Sequence, residues 1–243
     1  MAQKIKKGFI LAAGQGKRMR PLTDTCPKPL LKVAGKPIIE YALDALKERG
    51  VSDVVVNLNY LGEQLEDYLN TCSDFNITLS WEHEFLETGG GVERALHHFG
   101  DEAFFVLNGD VIWDGGSRPA LKRLEDNWDS DKMDALLLMQ PIEKQDGYHG
   151  KGDYHHDADT LELTRRTPDQ DRAPLVFAGP RIIHPRLFNQ APQGAYSFLT
   201  LFDQAQEKNR LYGVVHDGNW YHVGTPDSLE KTDRILRDKA ARD

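Results

Sequence analysis

The chain has 243 residues, 40 % of them apolar, with a formal charge of −8. That is enough to bury a sizeable core in one large α/β domain. No stretch approaches the roughly 18–20 apolar residues a membrane helix needs, and the acidic balance speaks against broad nucleic-acid binding. Cys26 and Cys72 are few and far apart, so they read as reduced thiols of a cytoplasmic protein rather than a disulfide framework. The charged start MAQKIKKGFILAAG has too short an apolar run for a signal peptide.

One segment departs from the acidic average. Residues 1–36 hold nine Lys/Arg against a single acid, Asp24. Cations concentrated beside a glycine-rich turn suit a compact, highly charged anion, a nucleoside triphosphate foremost.

In chain order, residues 7–13 (KGFILAA) read as a buried strand ending at Gly14. A helix is predicted over 37–49, with Ile38, Tyr41, Leu43, Ala45 and Leu46 on its apolar face and Gly50 ending it. The β-branched run 51–58 is a strand. A helix over 62–69 and a strand over 77–81 repeat the alternation. Gly89 to Gly91 open a further helix that runs to about residue 98. Residues 103–107 (AFFVL) form a strand leading into Asn108-Gly109-Asp110. A helix over 117–128 and a strand over 135–139 complete the alternation. This pattern predicts a Rossmann-like, mostly parallel twisted sheet flanked by helices. Ligands of such sheets sit beyond the carboxyl ends of the strands, where the glycine turn and the Asn-Gly-Asp turn can share a crevice. Residues 140–152 read as a mobile loop near that cleft.

The remainder is expected to be a smaller, β-rich part. It has a hairpin over 153–166, a strand over 175–183, and a hairpin of 211–216 with 220–223 turning at Asp217-Gly218-Asn219. Thr225 caps a last helix that begins at Pro226. The chain is thus read as a single domain over 1–243, with a first part over 1–140 and a second over 141–243.

Gly14 and Gly16 allow a ligand to approach the backbone, whose N–H groups can hold phosphate oxygens. The turn fits neither the dinucleotide fingerprint nor the P-loop. The residues after it are more distinctive: Arg18, then Pro21-Leu22-Thr23, then Lys28 stiffened between Pro27 and Pro29.

Residues 11–31, LAAGQGKRMRPLTDTCPKPLL, resemble the signature of the sugar-1-phosphate nucleotidyltransferases, with Lys17 in place of the usual threonine or glutamate. The resemblance continues through Gly35 to Ile39, Val56-Asn57, Glu87 to Gly91, Asn108 to Asp110, and Trp220 to Pro226. It implies that the nucleotide is held by the turn at Leu11, Ala12, Ala13, Gly14, Gly16 and Lys17, with Asn108 nearby and Gly89 and Gly90 against the base. Glu82 and Glu84 are candidates to accept from base N–H groups. It further implies that Arg18 stabilises the triphosphate, that Lys28 binds phosphate at the reacting centre, and that Asp110 binds Mg²⁺ or Mn²⁺. On the sugar side it points to Gly152, Asp153, Gly179, and Arg165 or Arg166. His222 stands where the family has a second metal-binding aspartate. Three readings stay open: contact with a metal-bound water or phosphate, direct ligation of a softer metal, or loss of the ligand.

The implied reaction joins an NTP, UTP or GTP, to a sugar 1-phosphate. The length leaves no room for a C-terminal β-helix. The ETGGG form most resembles short bacterial enzymes that use UTP and N-acetylmuramic acid 1-phosphate in cell-wall recycling. Mannose-1-phosphate guanylyltransferases come second and a phosphocholine cytidylyltransferase third. A non-catalytic sugar-nucleotide sensor is the alternative of another class. A monomer or homodimer is expected.

Overall fold

The structure, a computed structural model, describes residues 4–144, 148 and 150–242. Its first half runs β1 (Lys7–Leu11), β2 (Lys32–Val33), β3 (Lys36–Pro37), α1 (Ile38–Glu48), β4 (Asp53–Leu58), α2 (Gly62–Leu69), β5 (Asn76–Trp81), α3 (Glu87–Arg94), β6 (Phe104–Asn108), β7 (Val111–Asp114), α4 (Ala120–Asn127) and β8 (Ala135–Pro141). The second half runs β9 (Tyr154–His156), β10 (Leu163–Arg165), β11 (Leu175–Ile183), α5 (Phe198–Glu207), β12 (Leu211–Val215), β13 (Asn219–His222) and α6 (Pro226–Ala240).

β1 lies between β4 and β6, parallel to both, and β5 extends the sheet beyond β4. β11 then runs antiparallel to β6 and to β8, while β12 is parallel to β8. The hairpin of β9 and β10 joins at the start of β11. Strands from both halves therefore share one nine-stranded sheet. Successive residues of β1 point to opposite faces: Phe9 enters the cluster under α3 and α5, and Ile10 the one under α1, α2 and α4. α1 buries Ile38, Ile39, Ala42, Leu43 and Leu46, a one-sided helical stripe. A third cluster, with Met19, Val33, Ile112, Val223 and Leu236, seats α6 against the turns after β1. α6 starts as expected, with Thr225 and Ser228 forming a reciprocal cap and Pro226 in its first turn. No helix of the described residues is long and apolar enough to cross a membrane.

The predicted 211–223 hairpin does not form. β12 inserts beside β8, and β13 leaves the main sheet to pair antiparallel with β7, Trp220 opposite Trp113 and His222 opposite Val111. β12 is apolar on successive residues and four of its five are buried, which suits a strand covered on both faces even though β8 is its only strand partner among the described residues. β13 buries only Trp220 fully, which suits a two-stranded ribbon. β2, β3, β7 and α5 add to the predicted elements, and β3 takes Lys36–Pro37 just before α1. Residues 140–141, expected to be loop, end β8, and a single tight turn covers Ile142–Lys144. Residues 145–147 and 149 of that expected loop lie outside the described residues. Cys26 and Cys72 are free thiols.

Candidate active site

The carboxyl ends of β1, β4 and β6 come together because the three strands are parallel and in register, Leu11 opposite Asn108. Beyond them opens a cleft of about 440 Å³. Ten of the residues expected at the site line it: Leu11, Ala12, Ala13, Gly14, Gly16, Lys17, Arg18, Lys28, Asn108 and Asp110. Gln15, Asn57, Phe85, Glu87, Thr88 and Gly224 also line it.

The glycine turn is held from behind. The Ala12 N–H donates to Asn57 Oδ1 at 2.7 Å, and Asn57 Nδ2 donates to Glu82 Oε1 at 2.6 Å. The other oxygen of Glu82 accepts the Leu86 N–H at 3.1 Å. This chain of bonds ties the start of the turn to the segment that carries Phe85, Glu87 and Thr88. Burial raises the Glu82 carboxyl above the usual range, opposed by the bonds from Asn57 and Leu86. Gly16 has φ +59°, and a Cβ there would sit 2.9 Å from the Thr23 methyl. Thr23 closes the turn by donating to Gly16 O, and its own carbonyl accepts from Tyr60. Next comes the turn Lys17–Met19, in which Met19 is fully buried. Anchoring Met19 leaves Lys17 and Arg18 exposed on the cleft.

Lys28 sits in the turn Lys28–Leu30, with Pro27 and Pro29 buried on either side. The residue is only 8 % exposed, so its ammonium has little solvent of its own. It donates to Asp110 Oδ2 at 2.6 Å. A nearly buried cation and a partly exposed carboxylate thus neutralise each other at the floor of the cleft. His222 reaches the same place through the β7–β13 pairing, opposite Val111 and so one residue from Asp110. Its ring stands against Gly224, where a Cβ would meet Nε2 at 2.6 Å. The residue keeps solvent contact, yet protein crowds its ring. This desolvation lowers the imidazole below its ordinary value; Asp110 opposes the shift while Lys28 and Arg18 add to it.

Other expected site residues lie elsewhere. Gly89 and Gly90 are buried in helix packing: a Cβ on them would come 2.4 Å from the Tyr196 ring and 2.6 Å from Gly194 O. Their N–H groups donate to Tyr196 O. Glu87 and Thr88, just before them, face the cleft instead. Glu82 is an internal brace and Glu84 an exposed carboxylate outside the lining. Asp153 accepts the Phe177 N–H at 2.9 Å, and Gly152 is packed so that a Cβ would come 2.1 Å from Ala173 O. Arg165 pairs with Asp203 on α5, and Arg166 donates to Gly152 O and Gln170 O. Gly179 borders the Asn108 side chain without lining the cleft. Asn57, quoted in the family resemblance but given no role there, carries a legible sign, a polar residue near the end of an apolar strand.

Among the described residues no three His, Cys, Asp or Glu side chains gather into a metal cage. Asp110 offers a carboxylate to a cation at the cleft floor, and the arrangement can hold a polyphosphate between Arg18 and Lys28.

A parallel sheet with a glycine turn, two cations and a carboxylate at its carboxyl edge defines an α/β protein built to hold phosphates. Comparison with known proteins narrows this. Residues 7–157 match the model of the family described as nucleotidyl transferase. An N-acetylmuramate alpha-1-phosphate uridylyltransferase of Caulobacter vibrioides is 37 % identical over 93 % of this chain and 95 % of its own. One of the same name from Neisseria meningitidis serogroup B is 35 % identical over 94 % and 97 %. A UDP-glucose pyrophosphorylase solved with UDP-glucose superimposes with a TM-score of 0.81 at 17 % identity, covering 97 % of this chain and 99 % of that one. That last likeness shows the fold. The chain belongs to the nucleotidyl transferase family, and it is a sugar-1-phosphate nucleotidyltransferase.

Proposed function

We propose that the protein joins UTP to N-acetylmuramic acid 1-phosphate, yielding UDP-N-acetylmuramic acid and pyrophosphate in the cytoplasm. The substrate pair is supported by the two full-length relatives that carry that activity in their names. The reaction is carried by one geometric observation: the buried Lys28 ammonium rests on Asp110 inside the cleft that the glycine turn borders.

In the reaction a phosphate oxygen of the sugar forms a bond to the α-phosphorus of the NTP. The bond from that phosphorus to the bridging oxygen breaks, and its electron pair leaves with pyrophosphate. The attacking oxygen is already anionic, so no general base is needed. The chain's task is to bring two anions into line and to neutralise the charge that develops. Backbone N–H groups from Ala13 to Gly16 would receive the nucleotide phosphates. Arg18 would track the triphosphate, and Lys28, held rigid by its prolines, would serve the reacting centre.

Asp110 fits Mg²⁺, which takes one or two carboxylates together with substrate phosphates rather than a full protein cage. When bound, the ion neutralises phosphate charge. The second reading, guanylyl transfer to mannose 1-phosphate, is favoured by Glu87. Its exposed carboxylate lines the cleft and could accept two neighbouring N–H groups of guanine, where uracil offers one.

Pyrophosphate release from UTP, GTP, CTP and dTTP, each with N-acetylmuramic acid 1-phosphate, mannose 1-phosphate and phosphocholine, tests the choice with Mg²⁺ and Mn²⁺. The highest kcat/KM is expected for UTP with N-acetylmuramic acid 1-phosphate. A preference for GTP with mannose 1-phosphate overturns the assignment in favour of the second reading.

A further inference from the structure

Arg181 is among the largest fully buried side chains, at 1 % exposure. It lies on β11 opposite Val106 in the middle of β6, and its side chain reaches Asn108 at the end of that strand. Its Nη1 donates to Asn108 Oδ1 at 2.9 Å and to Gly179 O at 2.6 Å. The Phe198 ring covers the guanidinium at 4.4 Å and the Phe177 ring stands at 5.5 Å. Nε is buried without a partner. Both acceptors are neutral, and no carboxylate of the described residues offsets the charge: burial alone pulls the group down to about 9, which leaves it cationic at neutral pH. Aromatic faces offset part of the desolvation, but a counter-ion would offset far more.

The chemistry of the group has two consequences. A guanidinium can only donate, so it fixes the Asn108 amide with Oδ1 toward β11 and Nδ2 turned away. Asn108 lines the cleft, and its Nδ2 has no hydrogen-bond partner among the described residues. The donor is therefore held ready in one orientation, with an uncompensated positive charge behind it.

The cleft has two flanks. β4 and β5 lead to Asn57, Phe85, Glu87 and Thr88 on one side, and β6 and β11 bring Asn108, Gly179 and Arg181 to the other. The glycine turn of β1 stands between them. If the base takes the β4–β5 flank, the acceptor falls to the β6–β11 flank.

We infer that Arg181 is a positioning residue for the sugar 1-phosphate: it locks the Asn108 amide so that Nδ2 donates to the acceptor, and its unpaired charge favours that anion's approach. The inference rests on the nucleotidyl-transfer reading above. Arg181 itself does not touch substrate.

The test measures kcat and both KM values for wild type, Arg181→Met, Arg181→Lys, Asn108→Ala and the Met/Ala double variant. Direct binding of UTP and thermal unfolding are recorded in parallel. Arg181→Met is expected to raise KM for the sugar 1-phosphate about tenfold, the scale of one lost charge-assisted bond. UTP affinity should stay within about twofold. Asn108→Ala should do the same, the double variant should be no worse than either single one, and Arg181→Lys should recover part of the loss. Additive effects in the double variant, equal losses for both substrates, or a lower Tm with unchanged kinetics in Arg181→Met would overturn the inference. Asn108→Ala removes a cleft-facing amide, not a core side chain, and keeps the test decisive if Arg181→Met fails to fold: an unchanged sugar-phosphate KM in Asn108→Ala also overturns it. A wild-type protein that binds UTP but transfers it to no sugar phosphate would count against the functional reading itself.

Discussion

The cations after β1 and those at the end of β10 have opposite fates. Arg18 and Lys28 face an open cleft, and the carboxylate Lys28 meets is Asp110 at the cleft floor. Arg165 and Arg166 are used by the scaffold, one on Asp203 and the other on backbone carbonyls. The difference is not one of residue type or of local sequence. Lys28 is paired inside the cleft a ligand would enter, whereas Arg165 and Arg166 are paired with helix and loop acceptors outside it.

The sharpest way to break this contrast is Lys28→Ala. It should lower kcat by about 100-fold or more, as removal of one preorganised charge at a reacting centre does. Asp110 keeps access to solvent, so the Tm should change by only a few degrees. Near-normal turnover would remove Lys28 from the reaction.

His222→Asp comes next. A carboxylate adds a hard oxygen donor beside Asp110, so half-maximal Mg²⁺ for nucleotide binding should fall several-fold. Titrating Mg²⁺ against UTP binding reads this without turnover. An unmoved Mg²⁺ dependence would place His222 outside the cation's reach.

Arg165→Gln should leave both KM values within about twofold. Its pair with Asp203 is more than a third exposed on both sides, so stability should fall by less than about 1 kcal/mol. A tenfold rise in sugar-phosphate KM would return Arg165 to the site and erase the contrast.

The smallest effect concerns the turn between β12 and β13. Asp217 accepts from Ser117 and pairs with Arg123, and these partners pull its carboxyl down to about 2, the Ser117 bond contributing most. The folded value lies below the unfolded one, near 3.8. The stabilisation is therefore present above pH 4 and lost as pH falls toward 2. Denaturant midpoints of wild type and Asp217→Asn should differ at pH 7 and converge on acidification. A gap that does not narrow would show that the ionised form of Asp217 is not what stabilises the turn.

The alternation of β1, β4, β5 and β6 with α1 to α3 is readable in the sequence because each of these elements carries its own period and its own stop, such as Gly50 after α1, while the two-residue strands β2 and β3 are too short to show one. β7 is hidden inside the short run after Asn-Gly-Asp, too brief to show a period. α5 has a stripe, Phe198, Leu201, Phe202 and Ala205 after a capping Ser197, but it stands alone between strands, outside the regular alternation of the first half. The 211–223 hairpin fails for a firmer reason. An Asp-Gly-Asn turn proposes a local partner, but burying β12 on both faces outweighs any bond a local hairpin could offer.

The sequence by itself determined the edge of the sheet that borders the cleft. Glycine conformations, proline-stiffened turns and strand ends are local properties, and they put Gly16, Arg18, Lys28 and Asp110 at one edge of a parallel sheet. Only the tertiary structure decided the rest. It turned Gly89 and Gly90 inward and gave Arg165 and Arg166 to the scaffold. It brought His222 to Asp110 through the β7–β13 ribbon and set Arg181 behind Asn108. The physical reason is that charge and hydrogen-bonding capacity are satisfied by whichever partner folding brings within reach, and those partners lie far away along the chain.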